Sequence, residues 1–267
     1  YKRLINDYKK DRYINMKITD IRTIVVGNPW KNWVFVVVET SDGISGLGEA
    51  TGGLSTMPNK EAVEEIKHLA IGKNPLEISN IVDELYKALF LKMTPAVAAI
   101  EIACWDILGK HLKVPIYQLL GGKVRDKVRV YANGWYSGER SPENFGEKAK
   151  SLADKGYTAL KFDPFGSEYL RLDKESEIFI KKIVRSVRDA VGPNVELMIE
   201  GHKRFNTVEA IKIANWLNEF EVTWFEDPID NDDIDSLIHV SNNSPVRIIA
   251  GEGFDDHKDF TRFVSSN

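Results

Sequence analysis

Three glutamates at equal intervals carry the strongest chemical signal in this sequence. Glu200, Glu226 and Glu252 are each 26 residues from the next, and each follows a short apolar run typical of a buried strand. If these runs are neighbouring parallel strands, their carboxyl ends lie at one edge, where α/β barrels carry their chemistry. Three carboxylates meeting there would repel one another unless a cation lay between them. An all-oxygen set suits magnesium, with manganese as the alternative. The competing interpretation is that each glutamate makes a salt bridge or caps the helix that follows.

Other polar residues lie close to these glutamates in the sequence. His202 is two residues after Glu200, and in an extended chain both side chains project to the same side. An imidazole beside a metal ion can act as general acid or base, so we predict a catalytic role for His202. Lys161 and Asp163 end the preceding apolar run, before Pro164. Lys161 is predicted to bind a substrate carboxylate or move a proton, and Asp163 to contact substrate; the alternative is an ion pair between the two.

The elements that must position these residues fall into two parts. Residues 16–125 begin with three β-rich runs, at residues 18–26, 34–39 and 44–49, which predict an antiparallel meander. A helical pattern through Val97, Ile100, Cys104 and Ile107 follows, with Cys104 on its apolar face. This combination predicts an α+β capping domain.

Residues 126–267 alternate between apolar strands and helices. The strand candidates are residues 128–131, 158–162, 195–199, 222–225 and 247–250. Ser141 and Asn206 are predicted N-caps of two of the intervening helices. Five successive βα units predict a parallel sheet covered by helices. No Gly-x-Gly-x-x-Gly follows a strand, which favours a TIM-type (β/α) barrel over a dinucleotide-binding sheet.

Composition limits the classes of protein that this chain can represent. Its 267 residues include 43% hydrophobic and 28% charged residues, as expected of a globular protein, and carry a formal net charge of −4. The acidic balance argues against nucleic-acid or membrane partners, and no apolar run is long enough to span a bilayer. A single cysteine excludes an internal disulfide and fits the cytoplasm. Residues 1–15 read as an extension outside the fold, without the features of a signal peptide.

The whole pattern resembles the enolase superfamily, in particular its mandelate racemase and muconate lactonizing branch. The resemblance rests on a capping domain followed by Lys161-Phe162-Asp163 on the second barrel strand, Glu226-Asp227-Pro228 on the fourth and Gly251-Glu252 on the fifth. Ile199-Glu200-Gly201-His202 on the third strand is similar to the acid-sugar dehydratases of that branch. The Lys-x-Asp on the second strand departs from the Lys-x-Lys of the racemases, which makes a lysine-based racemisation a weaker expectation.

The resemblance implies a magnesium-dependent dehydratase of a sugar acid such as gluconate or galactonate, giving a 2-keto-3-deoxy acid through an enediolate. It implies that Glu200, Glu226 and Glu252 bind the metal and that His202 protonates the departing hydroxyl. Capping-domain loops at residues 27–33 and 49–57 are expected to set specificity, and we predict that Trp30 and Trp33 contact substrate; the alternative is that they pack against the barrel.

Chain length leaves other interpretations open. A complete barrel needs three more βα units, on the order of 100 further residues, so the resemblance predicts that the chain is incomplete and that the α-proton base lies on a missing strand. Exposed barrel edges favour a homo-oligomer. The alternatives are an epimerase, racemase or cycloisomerase of the same superfamily, and a truncated non-catalytic relative that binds metal.

Overall fold

The structure is a computed structural model that describes residues 16–27, 31–53, 55–89, 93–254 and 256–266. The chain divides after Asp126 into two compact units, Tyr1–Asp126 and Lys127–Asn267, called here the first and second unit. The predicted boundary, between residues 125 and 126, lies one residue earlier. The predicted extension, residues 1–15, and Trp30 lie outside the described residues. Within the described part of the chain, no helix is both long and apolar enough to cross a membrane.

A three-stranded antiparallel sheet forms the start of the first unit. Its strands are β1 (Ile18–Gly27), β2 (Asn32–Thr40) and β3 (Ser45–Glu49), in that order across the sheet. Val34, Val36 and Val38 of β2 are fully buried, while the residues between them are only partly buried. This period of two is the pattern of a strand with one face on a core. The predicted meander is therefore observed, with β1 and β2 slightly longer than predicted and β3 one residue shorter.

Four helices follow the sheet in this unit. They are α1 (Thr56–Ala70), α2 (Ile78–Ala88), α3 (Thr94–Leu112) and the short α4 (Ile116–Leu119), of which α1 and α3 pack on the sheet. Two glycines of β3 allow α3 to approach closely: a Cβ on Gly46 or Gly48 would lie 1.9 Å from a carbonyl oxygen of the helix. Cys104 of α3 has no exposed surface, and burial raises the pKa of its thiol to about 12. It is a core residue, as its position in the apolar pattern indicates.

The second unit alternates helices with a four-stranded parallel sheet in the order β4-β5-β6-β7. The strands are β4 (Ala159–Phe162), β5 (Glu196–Glu200), β6 (Val222–Glu226) and β7 (Arg247–Ile249). The helices are α5 (Pro142–Asp154), α6 (Lys174–Val191), α7 (Thr207–Leu217), α8 (Ile234–Asn242) and α9 (His257–Ser265). Phe162 and Phe225 are fully buried between the sheet and the helices. This is the succession of βα units predicted from the sequence.

The first predicted strand of this unit, residues 128–131, does not form. Only Ala132 pairs with the sheet, through a single parallel bridge to Leu160. Ala132 N–H donates to Ala159 O at 3.0 Å, and Lys161 N–H donates to Ala132 O at 2.9 Å. Val128 and Val130 are 72% and 64% exposed, so this apolar run gains little from pairing in the described chain. Its composition predicted a strand, but burial against a partner is what stabilises one.

Helix starts follow the local sequence signals. The Ser141 hydroxyl accepts from Asn144 N–H at 3.3 Å ahead of α5, whose first residue is Pro142. The Asn206 side chain accepts from Glu209 N–H at 2.9 Å ahead of α7. Both predicted N-caps are observed, because each needs only a side chain three residues from an unpaired amide.

Candidate metal and acid–base site

Strand register brings two of the three predicted metal ligands side by side. Glu200 ends β5 and Glu226 ends β6, and the two residues are paired across the parallel sheet. The register between β6 and β7 is different, since Glu226 lies opposite Ile249. Glu252 therefore comes three residues beyond that level, in a turn after β7. Although the three glutamates are equally spaced in the sequence, only Glu200 and Glu226 lie at the same level along their strands.

The side chain of Lys161 joins these two glutamates. Its Nζ donates to Glu200 Oε2 at 2.8 Å and to Glu226 Oε1 at 2.6 Å. The side chains of Lys161 and Glu200 are 8% and 4% exposed and that of Glu226 is 16% exposed. Lys161 thus pairs with two carboxylates across the strand ends. The alternative ion pair with Asp163 is not found among the described contacts.

Burial and mutual contacts shift the pKa values of Lys161 and Glu200. Burial alone would lower the pKa of Lys161, but hydrogen bonds to Glu200 and Glu226 outweigh it and raise the pKa above its ordinary value. Burial raises the pKa of Glu200 despite the bonds it accepts from Lys161 and from the backbone of His202. The two glutamates thus hold Lys161 in its protonated form in this arrangement, and its predicted roles in substrate binding and proton transfer stay predictions.

Three aromatic residues surround the lysine. Trp224 Nε1 donates to Glu226 Oε2 at 3.1 Å, and Trp135 Nε1 donates to the backbone oxygen of Lys161 at 2.9 Å. The ring of Tyr131 lies 5.7 Å from Lys161 Nζ and makes an edge contact with Trp224. Trp224 and Tyr131 therefore lie beside the ion pairs, while Trp135 binds the backbone of Lys161.

A second polar group lies beside the first. His202 Nδ1 is 2.8 Å from Asp163 Oδ2, and Asp163 Oδ1 accepts from Phe165 N–H at 2.8 Å. Arg204 Nη2 approaches Asp163 Oδ2 to 2.6 Å as an ion pair without hydrogen-bond alignment. The hydrogen bond to Asp163 raises the pKa of His202. Burial would raise the pKa of Asp163, but the contacts with His202 and Arg204 outweigh it and lower the pKa.

The backbone around His202 is not extended, contrary to the argument from strand alternation. β5 ends at Glu200, and His202 and Lys203 have φ of 49° and 59°, in the left-handed region. This turn is held because Gly201 N–H donates to Glu226 O at 2.8 Å and Lys203 N–H donates to Asp227 O at 2.7 Å. His202 N–H then donates to Glu200 Oε1 at 3.0 Å. The ring of His202 therefore reaches the site through the turn, with half of its side chain exposed.

Glu252 lies apart from the other two glutamates. It is exposed, and its Oε1 is 3.7 Å from Lys203 Nζ. Among the residues that the structure describes, no group of three or more histidine, cysteine, aspartate or glutamate side chains is arranged to hold a metal. The ligand role of Glu252 stays a prediction.

The remaining pair does fit a hard cation. Glu200 and Glu226 each direct one oxygen at the same positively charged atom, and both are oxygen donors of the kind that magnesium and manganese bind. The ammonium of Lys161 lies between these two oxygens. Asp227, which follows Glu226, is buried, and its Oδ2 has no hydrogen-bond partner among the described residues.

Two predicted substrate contacts belong to the first unit. Trp30 lies outside the described residues. Trp33 is on β2, half-buried, with the ammonium of Lys31 5.9 Å from its ring. Its contact with substrate stays a prediction.

Sequence reasoning missed several residues of the site. Trp224 lies two residues before Glu226 on β6, so strand alternation could have placed both side chains on one face. Arg204 could not have been chosen in this way, because it follows the turn at His202. The sequence places Tyr131 in a predicted strand, which gives no sign of its contact with Lys161, 30 residues later in the chain.

An α+β unit followed by parallel βα units with carboxylates at the strand ends defines an enolase-type protein. Residues 16–121 match the family description "Mandelate racemase / muconate lactonizing enzyme, N-terminal domain", and residues 144–267 match "Enolase C-terminal domain-like". The chain belongs to the mandelate racemase/muconate lactonizing enzyme family of the enolase superfamily, which confirms the resemblance drawn from the sequence.

Individual relatives give the same result. A D-gluconate dehydratase from Thermoproteus tenax is 38% identical over 241 residues, covering 88% of this chain and 48% of the relative. A D-gluconate/D-galactonate dehydratase from Picrophilus torridus is 37% identical over 246 residues, covering 89% and 62%. The crystal structure of an enolase superfamily member from Salmonella Typhimurium superposes with a TM-score of 0.89 at 26% identity, covering 94% of this chain and 71% of that one. The chain thus spans less than two thirds of the length of the two curated relatives.

Proposed function

We propose that this chain forms part of a magnesium-dependent dehydratase that converts a sugar acid such as gluconate or galactonate to a 2-keto-3-deoxy acid. The observation that carries the proposal is the pair of buried carboxylates, Glu200 and Glu226, aimed at one cationic position beside the His202–Asp163 pair. The names of the two relatives above support the same reaction class.

Glu200 and Glu226 would hold the magnesium, with Glu252 as the third ligand. When bound, magnesium supplies positive charge that stabilises the negative charge developing on the substrate carboxylate as the α-proton leaves. Manganese has the same ligand preferences and is the alternative metal.

His202 is the general acid of the proposed reaction. Its imidazole is bonded through Nδ1 to Asp163, which leaves Nε2 for the substrate, and the half-exposed ring can reach a bound molecule. A protonated His202 would give its proton to the departing β-hydroxyl, which leaves as water. Asp163 then acts as a positioning residue: it fixes the ring and favours the charged imidazole, as its effect on the pKa of His202 indicates.

Loss of the α-proton requires a base. We do not assign this task to Lys161, whose ammonium donates to Glu200 and Glu226 in the described arrangement. We place the base outside the described residues of the second unit, on a later strand, as the family resemblance implies.

The test, made on the whole protein of which this chain forms part, is turnover of gluconate and galactonate to the 2-keto-3-deoxy acid, with magnesium and with EDTA. We expect turnover that EDTA abolishes and that Glu226→Gln reduces by about a thousandfold, the scale of losing a group that stabilises transition-state charge. Glu147→Gln, at an exposed position of α5, is the matched control and should keep full turnover.

A second variant separates the two proton transfers. His202→Asn should lose product formation but still exchange the α-hydrogen of the substrate with deuterium from solvent, because His202 serves only the leaving hydroxyl. Exchange by the unmodified protein without any keto product would instead favour an epimerase or cycloisomerase. Absence of both turnover and metal binding would refute the enzyme proposal and favour a non-catalytic relative.

A further inference from the structure

We propose that Lys161 is a built-in counter-ion, whose ammonium occupies the position between Glu200 and Glu226 and must leave it before a divalent cation binds there. The inference rests on the metal dependence proposed above and deepens it. It describes what Lys161 does when a metal ion binds to the two glutamates.

The first step is that the two glutamates need a cation at all times. They end neighbouring strands in paired register, and their side chains are only 4% and 16% exposed. Two ionised carboxylates held this close with little water between them repel strongly. Without a cation between them the two carboxylates would keep this repulsion or take up a proton; Lys161 supplies a cation from within the chain.

The second step is that, with Lys161 in place, every carboxylate oxygen of the two glutamates accepts a hydrogen bond. Its Nζ binds one oxygen of each glutamate, at 2.8 and 2.6 Å. The remaining Glu200 oxygen accepts from His202 N–H at 3.0 Å, and the remaining Glu226 oxygen accepts from Trp224 Nε1 at 3.1 Å. All four carboxylate oxygens therefore have a donor from the protein.

The third step is that a metal and the ammonium cannot share this position. Magnesium binds carboxylate oxygens at about 2.0–2.1 Å, so an ion that bridges the same two oxygens from the side of Lys161 would overlap its nitrogen, which lies 2.8 and 2.6 Å from them. A metal that takes this position therefore breaks both lysine hydrogen bonds and moves one positive charge away. Displacing the ammonium costs free energy, so the observed affinity of the site for metal is lower than the carboxylates alone would give.

The chain contains a matched control for this argument. Lys212 also bridges two glutamates, with Nζ 2.7 Å from Glu177 Oε2 and 3.3 Å from Glu209 Oε1. Its side chain is 47% exposed, and it joins α6 to α7 away from the strand ends. Lys161→Met and Lys212→Met therefore remove the same charge from the same kind of bridge, once inside the site and once outside it.

The experiment measures manganese binding by the electron paramagnetic resonance of the free ion, together with urea unfolding of metal-free protein. Lys161→Met should bind manganese about tenfold more tightly than the unmodified protein or more, since no ammonium is displaced. The same variant should unfold at lower urea without metal and regain its stability with manganese. Lys212→Met should bind manganese as the unmodified protein does.

Equal or weaker manganese binding by Lys161→Met, with normal binding by the unmodified protein, would overturn the counter-ion role and leave the proposed metal dependence standing. Absence of manganese binding by both proteins would overturn both. If Lys161→Met does not fold without metal, Lys161→Gln, which keeps donor hydrogens without the charge, is judged by the same two measurements.

Discussion

Replacement of Asp163 by asparagine should destabilise the second unit by about 2–3 kcal/mol, the range for losing a partly buried charge-assisted contact. Asparagine keeps the shape of the side chain and can keep its carbonyl oxygen on Phe165 N–H, a bond of 2.8 Å in the structure. It loses the negative charge that faces Arg204 at 2.6 Å and His202 at 2.8 Å. Arg204 is left 16% exposed with backbone carbonyls as its remaining partners.

The measurement is the free energy of unfolding in urea, with Asp235→Asn as the control. Asp235 pairs with Arg262 in the same unit, so the chemical pair is the same, but the aspartate is 75% exposed. Exposed pairs of this kind contribute less than about 1 kcal/mol because water screens them. The comparison therefore sets a buried aspartate that contacts both Arg204 and His202 against an exposed arginine–aspartate pair.

A loss in Asp163→Asn no greater than that in Asp235→Asn would refute the reasoning. It would mean that the geometry around Asp163 contributes no more than a solvated ion pair. A larger loss, accompanied by a lower pKa of His202 in a proton NMR titration, would support the role of Asp163 as the group that holds the imidazole.

Three further predictions concern other parts of the chain. Contacts with Lys212 and Lys181 lower the pKa of Glu177 to about 2, so the ionised side chain stabilises the fold above its ordinary pKa of 4.5 and this stabilisation is lost as the pH falls towards 2. The free energy of unfolding of Glu177→Gln in urea should therefore differ from that of the unmodified protein near neutral pH and converge with it in acid. Gly201→Ala should lose about 1–3 kcal/mol in the same assay, because its Cβ would lie 2.7 Å from Asp227 O; unchanged stability would refute this. Cys104, fully buried with its thiol pKa raised to about 12, should resist alkylation until urea unfolds the chain; rapid labelling of the folded protein would contradict its burial.

Much of the fold follows from short-range patterns in the sequence. The β-branched and aromatic run at residues 34–39 predicted β2 because such side chains favour strands, and the structure then buries Val34, Val36 and Val38 on one face. Ser141 and Asn206 predicted helix starts because a cap acts over three residues. The strand predicted at residues 128–131 is wrong because it was inferred from local composition alone. Whether such a run pairs depends on residues far away in the sequence.

The sequence by itself determined which groups the site can use: carboxylates after apolar strands, a histidine two residues beyond one of them, and a lysine on the preceding strand. The tertiary structure decided which of them meet. Lys161 contacts Glu200 and Glu226 over separations of 39 and 65 residues, and Glu252 lies past their level because β7 pairs with β6 three residues out of step with the repeat. Register between strands is set by how helices and side chains pack across the whole sheet, and no local pattern contains that information.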